Sequence, residues 1–115
     1  MSVTNLADPA PRVERALDAL GNPVRRTILR ILSTGPRPVG RIARELPVSR
    51  PAVSKHLRIL EGAALVSHAR EGNRHVFRLE PTGFDATRGW LAAFWDEALP
   101  RFARLAEGHD GGSPR

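Results

Sequence analysis

The chain has 115 residues and a formal net charge of +6, a length that suits one domain with one modest core. It contains no cysteine, which excludes disulfide scaffolds, thiolate zinc sites and cysteine nucleophiles. No apolar run approaches the ~20 residues that span a bilayer, and the first residues lack the basic-then-apolar pattern of a secretory signal, so a cytoplasmic protein with no membrane partner is expected.

Residues 1–12 are polar and broken by Pro9 and Pro11, and read as a disordered arm. Val13, Ala16, Leu17 and Leu20 then recur at helical spacing. Gly21-Asn22 ends that helix, and Pro23 suits the first turn of the next. Val24, Ile28, Leu29, Ile31 and Leu32 predict a strongly apolar second helix, stopped by Thr34-Gly35-Pro36. A short third helix is predicted over Val39 to Leu46, with Ile42, Ala43 and Leu46 inward. Pro47 forces a break, because the residue before a proline is pushed out of helical geometry. Ser49 has the chemistry of an N-cap, and Val48 and Val53 stand at the spacing of a hydrophobic staple. A fourth helix follows over 49–61, with Val53, Leu57 and Leu60 on one face.

After Gly62 the period changes from helical to alternating. Leu65–Arg70 and His75–Leu79 flank Glu71-Gly72-Asn73-Arg74, which reads as strand, tight turn, strand over 65–79. Gly-Asn supplies the positive φ that two-residue hairpin turns need. Pro81-Thr82-Gly83 closes the hairpin section. A last helix is predicted from Phe84 to Glu107, and the Gly/Ser/Pro-rich tail 108–115 reads as disordered. The fold class is therefore mostly α with a β-hairpin wing, in the order α-α-α-α-β-β-α: a winged helix–turn–helix spanning residues 13–107.

Charge placement points to a partner. Arg37 to Arg78 holds nine basic and three acidic residues, so the whole excess of +6 lies in this central segment. A localised basic surface suits a polyanion, although charge alone also fits a merely solvated face. The fourth helix sharpens the choice. With Val53, Leu57 and Leu60 inward, Pro51, Ser54, Lys55 and Arg58 face outward at ~100° per residue. Ser49 and Arg50 sit at its N-terminal end, the part of a recognition helix that reaches base edges in the major groove. Arginine and lysine bond guanine O6 and N7, and serine bonds a base or a phosphate. His56 flanks the inward face and either touches a phosphate or packs at the helix edge. Arg41 and Arg44 either contact backbone phosphate or are solvated. On the wing, Arg70, Asn73 and Arg74 cluster toward the tip, where an arginine suits the minor groove or its phosphates. Arg78 is far from the tip and fits a solubilising charge.

The runs Leu20-Gly21-Asn22-Pro23-Val24-Arg25-Arg26-Thr27-Ile28-Leu29 and Ser49-Arg50-Pro51-Ala52-Val53-Ser54-Lys55-His56-Leu57-Arg58-Ile59-Leu60, with Leu65-Val66 and Arg70-Glu71-Gly72-Asn73-Arg74, resemble the ArsR family of bacterial winged-helix repressors. The resemblance covers residues 13–80 well and the last helix more loosely. It implies a homodimer that binds an inverted-repeat operator in double-stranded DNA and blocks transcription until an effector releases it. It also implies that Ser49, Arg50, Ser54, Lys55 and His56 read bases and phosphates. The chain departs from the metal-sensing members: Pro38 and Gly40 stand where thiol sensors carry cysteines, and the body of the last helix holds no histidine. The sequence resembles the metal-independent branch, so no metal and no cofactor is expected. His68 and His75 lie on opposite strands of the wing, placed to share one face diagonally, and are more often unliganded than bound in such a position.

In the last helix, Leu91, Trp95, Ala98, Phe102 and Leu105 are spaced 4, 3, 4, 3, a heptad seam. Trp90, Phe94 and Leu99 widen it. This stripe predicts a two-fold interface with a second copy, helped by Leu17 of the first helix; the plainer alternative is that the helix packs back on its own domain. Pro100 lacks an amide and is expected to kink the helix near Asp96, widening a pocket at Trp90, Phe94 and Trp95 for an unidentified small apolar effector. A second function class stays open: a protein-interaction module using the aromatic last helix, with an incidental basic surface. Catalysis by Ser54-Lys55-His56 is rejected, because consecutive helical residues point ~100° apart and do not converge.

Overall fold

The computed structural model describes residues 8–112, with side chains described through Glu107. Eight elements follow in order: α1 (Pro11–Leu20), α2 (Pro23–Leu32), β1 (Arg37–Pro38), α3 (Val39–Arg44), α4 (Arg50–Gly62), β2 (Val66–Glu71), β3 (Arg74–Leu79) and α5 (Pro81–Gly112). The predicted order holds, with one addition. Arg37 and Pro38 pair antiparallel with Phe77 and Val76 of β3, making a three-stranded sheet in the order β1-β3-β2. Two residues show no periodicity, so this strand exists only through its partner.

Several boundaries move for identifiable reasons. Pro11 occupies the start of α1, where a missing amide costs nothing, so the helix begins inside the expected arm; residues 1–7 lie outside the described residues. Helix α3 ends at Arg44, two residues short of the predicted end, because Leu46 precedes Pro47. Helix α5 starts at Pro81 rather than Phe84. Its first turn is capped by the Glu80 carboxylate, which accepts from the amide and hydroxyl of Thr82. At the other end α5 continues to Gly112. Residues 108–112 of the expected disordered tail are thus helical, since each added residue of an established helix gains a hydrogen bond, and residues 113–115 lie outside the described residues.

The core gathers Ala16 and Ala19 of α1, Ile28, Leu29 and Leu32 of α2, Ile42 of α3, Val53, Leu57 and Leu60 of α4, and Leu65 and Val66 before and in β2. The junction of α1 and α2 shows how local chemistry aims the helices. The Asn22 side chain accepts from the Arg25 amide at 3.0 Å and caps α2. Arg25 Nε and Arg26 Nη1 donate to the carbonyls of Ala19 and Leu20 at 2.9 and 2.7 Å, satisfying groups that the end of α1 leaves unpaired. The wing turns at Gly72-Asn73, between the paired residues Glu71 and Arg74. Gly72 has φ +63° while Asn73 stays at negative φ, the pattern of a turn that wants glycine first.

Candidate nucleic-acid interface

Helix α4 carries the candidate site, and its N-terminus is built as its sequence implies. Ser49 Oγ accepts from the Ala52 amide at 3.3 Å. Val53, Leu57 and Leu60 are at most 1% exposed and anchor the helix. On the other side Ser49, Arg50, Pro51, Lys55 and Arg58 are exposed and Ser54 is half-buried. The cationic face is therefore open to solvent along the length of the helix.

His56 is half-buried, and its Nδ1 lies 3.3 Å from Arg25 Nη1. Burial, then the charges of Arg25 and Lys55, lower its pKa from the usual 6.5. With Ser54, it is one of the half-packed members of the predicted set. Arg41 and Arg44 are both exposed on α3. On the wing, Arg70, Asn73 and Arg74 are exposed, and Arg70 Nε donates to the Gly72 carbonyl at 3.3 Å. Arg78 pairs with Glu71 at 3.1 Å. Arg41, Arg44, Arg50, Asn73 and Arg74 line one cleft between α3, the start of α4 and the wing tip, so three segments far apart in sequence converge on one basic surface.

Sequence reasoning missed the strap that holds the wing against α4. His68 Nδ1 stands 2.9 Å from the Glu61 carboxylate, and its ring packs 4.9 Å from Phe77 and 5.3 Å from His75, centroid to centroid. The two histidines share a face diagonally, as the pairing of His68 with Phe77 and His75 with Arg70 requires. Among the described residues no group of three or more His, Asp or Glu side chains is placed to hold a metal ion. Glu61 gave no periodic signal linking it to His68. Arg25 and Arg26 did give one: cations following directly on a helix end are placed to meet its carbonyls.

The α5 stripe divides. The helix packs on α1 of its own chain, and near its start Thr87 is buried and its hydroxyl donates to the Gly83 carbonyl. Leu17 is half-buried on α1. Farther along, Leu91, Trp95, Leu99, Phe102 and Leu105 are exposed, while Trp90, Phe94 and Ala98 are half-buried. Trp90 and Phe94 stack on each other at 5.4 Å, in the region where the sequence suggested a pocket. None of the helices among the described residues is long and apolar enough to cross a membrane.

A short helix, a turn, an anchored helix with an open basic face and a basic hairpin beside it define a winged helix–turn–helix DNA-binding protein. Comparison with known proteins agrees. Residues 20–69 match a helix–turn–helix domain family. The chain is 48% identical over 99 residues to the HTH-type transcriptional regulator Rv2034 of Mycobacterium tuberculosis, covering 84% of this chain and 92% of that protein. The crystal structure of an ArsR family transcriptional regulator superposes with a TM-score of 0.71 at 27% identity, over 76% of this chain and 91% of the other. The solution structure of a homodimeric winged helix–turn–helix DNA-binding domain from Mycobacterium bovis does so with a TM-score of 0.59 at 30% identity, over 90% and 86%. The chain belongs to the ArsR family of helix–turn–helix transcriptional regulators. It is a DNA-binding regulator of transcription, in a family that is not enzymatic.

Proposed function

We propose that the protein acts as a homodimeric repressor, binding an inverted-repeat operator with helix 49–61 in the major groove and wing 65–79 against the adjacent minor groove. The observation that carries this reading is the exposure of Arg50, Lys55 and Arg58 on α4, opposite a face that is almost completely buried. Arg50 and Lys55, with Ser49 and Ser54, contact bases or nearby phosphates; Pro51 packs at the groove wall. Arg41 and His56 meet the backbone, His56 as a neutral donor. Arg70, Asn73 and Arg74 contact the flanking groove. Dimerisation uses the exposed stripe of α5 with Leu17 of α1, which sets two recognition helices about one turn of DNA apart. The homodimeric state of the M. bovis domain supports that assembly.

The test begins with a footprint upstream of the neighbouring genes, followed by duplex titrations. Lys55→Ala or Arg50→Ala should weaken operator binding by about 1–3 kcal/mol wherever the residue reads a base, and should relax preference at that base pair. Equal affinity for operator and scrambled duplexes would reject the reading.

A further inference from the structure

The cleft between α3, the start of α4 and the wing tip has a volume of about 240 Å³ and is lined by Arg41, Arg44, Arg50 and Arg74, with Asn73 and His75 among its other walls. No carboxylate lines it. None of the four guanidinium groups has a hydrogen-bond or ion-pair partner among the described residues. Some arginines elsewhere are held, Arg78 by Glu71, Arg88 by Asp85, and Arg25 and Arg26 by backbone carbonyls; Arg12, Arg30 and Arg58 are as unpaired as the four, but do not line the cleft. The Arg50 guanidinium lies back over α3, 3.8 Å from where a Cβ on Gly40 would stand. It therefore lines the cleft instead of extending straight out from α4.

Four unpaired like charges facing a concave space repel one another and concentrate an anion there. Guanidinium forks match the oxygens of a phosphate two at a time, and fixed charge-assisted hydrogen bonds of this kind are among the strong ones. Four positive charges also favour a phosphoryl group over a single carboxylate. Asn73 adds a neutral donor at the rim.

We propose that this cleft binds a free diphosphate-class anion, docking one of its phosphoryl groups among the four guanidinium groups, so that the anion competes with the duplex for them. The competition rests on the DNA-docking reading above; the binding of the free anion does not.

The experiment has two arms, both on the full chain. In the first, inorganic diphosphate is titrated into the DNA-free protein at constant ionic strength, followed by NMR or calorimetry. In the second, the salt dependence of duplex binding is measured without diphosphate. The variant is Arg44→Gln with Arg74→Gln. The control is Arg12→Gln with Arg30→Gln, which removes the same charge outside the cleft. All four side chains are exposed, and thermal melts verify that both variants fold. Diphosphate should saturate, and the cleft variant should weaken it at least about tenfold, as the loss of a charged hydrogen bond implies, while the control stays within about twofold. In the duplex arm the cleft variant should lower the salt slope by about 1, one phosphate contact, relative to the control.

Loss of diphosphate binding in the cleft variant with an unchanged slope supports the anion pocket and removes the competition with the duplex. Loss of diphosphate binding together with a lowered slope establishes competition, whereas a lowered slope without diphosphate saturation overturns the proposal, because it reports only the backbone contacts of the DNA-docking reading. The proposal is overturned if diphosphate never saturates, or if the cleft variant binds it as tightly as the control does. A wild-type protein with no preference among duplexes would sink the operator reading alone, because the diphosphate arm reports on the cleft without DNA.

Discussion

Arg25 joins three helices through one guanidinium. Its Nε and Nη2 donate to the carbonyls of Ala19 and Asp18 in α1, and its Nη1 meets His56 Nδ1 in α4. A guanidinium only donates, so Nδ1 accepts and the ring proton sits on Nε2. Burial and the charges of Arg25 and Lys55 hold the His56 pKa below 6.5. The folded protein then keeps His56 neutral where the unfolded chain has taken up a proton. His56 accordingly makes stability rise with pH through this window: its contribution is complete above about 6.5 and is lost as pH falls toward the folded-state pKa. Urea midpoints of wild type and His56→Gln across pH 5 to 8 test this, since the variant should lose part of the acid-side slope; identical slopes would remove His56 as its source. The sequence placed His56 at the edge of the inward face but left its partner open, because Arg25 stands 31 residues away and no local pattern connects the two.

At the scale of elements, the two ends of α4 contrast. Its start was legible: Ser49 caps, Val48 packs against the core and Val53 is buried, each a short-range preference written in neighbouring residues. Its end was not. Ala64 adopts φ +58°, while the Leu65 amide bonds to Leu60 and the Ala64 amide to Glu61, a C-terminal closure that usually employs glycine. The Ala64 carbonyl in turn accepts from the Gly83 amide at 2.8 Å, one of the unpaired donors of the first turn of α5. A Cβ on Gly83 would lie far inside contact distance of the Ala63 and Ala64 carbonyls. Gly83→Ala should therefore cost about 1–3 kcal/mol, as other overpacked sites do. Ala64→Gly should stabilise by about 0.5 kcal/mol, because left-handed geometry costs a non-glycine residue about 1–2 kcal/mol and the freer unfolded chain offsets part of that. Thermal melts check both, and a lower melting temperature for Ala64→Gly would contradict the account. The sequence read Pro81-Thr82-Gly83 as a closing turn because proline and glycine punctuate loops. Here the proline opens a helix, and the glycine makes room for the end of another.

The whole molecule is far from spherical. Its Cα radius of gyration is 19.5 Å, against about 13 Å for a compact chain of this length, and α5 alone runs 32 residues. Helix α5 packs on α1 of its own chain, as the plainer sequence alternative held for the helix, while Trp95, Phe102 and Leu105 stay 60%, 67% and 66% exposed. A contiguous apolar stripe of that kind suits the proposed interface with a second copy, and the packing on α1 leaves that stripe open for it. Phe102→Glu should shift the protein from dimer to monomer in sedimentation while leaving its melt intact as a folded domain. It should weaken binding to a two-half-site duplex far more than to a single half-site. A wild-type protein that sediments as a monomer at micromolar concentration would refute the assembly.

The sequence by itself determined the order and type of the major elements, the anchored face of α4 and the glycine turn of the wing. Each of these follows from preferences acting over one to seven residues: helical spacing, side-chain capping, the conformational range of glycine. Only the tertiary structure decided that Arg37-Pro38 becomes a strand, that Glu61 holds His68, that Arg25 reaches His56, and that four arginines from three segments face one cleft. Those features depend on which surfaces meet once the core closes, and contacts between residues distant along the chain leave no periodic trace within it.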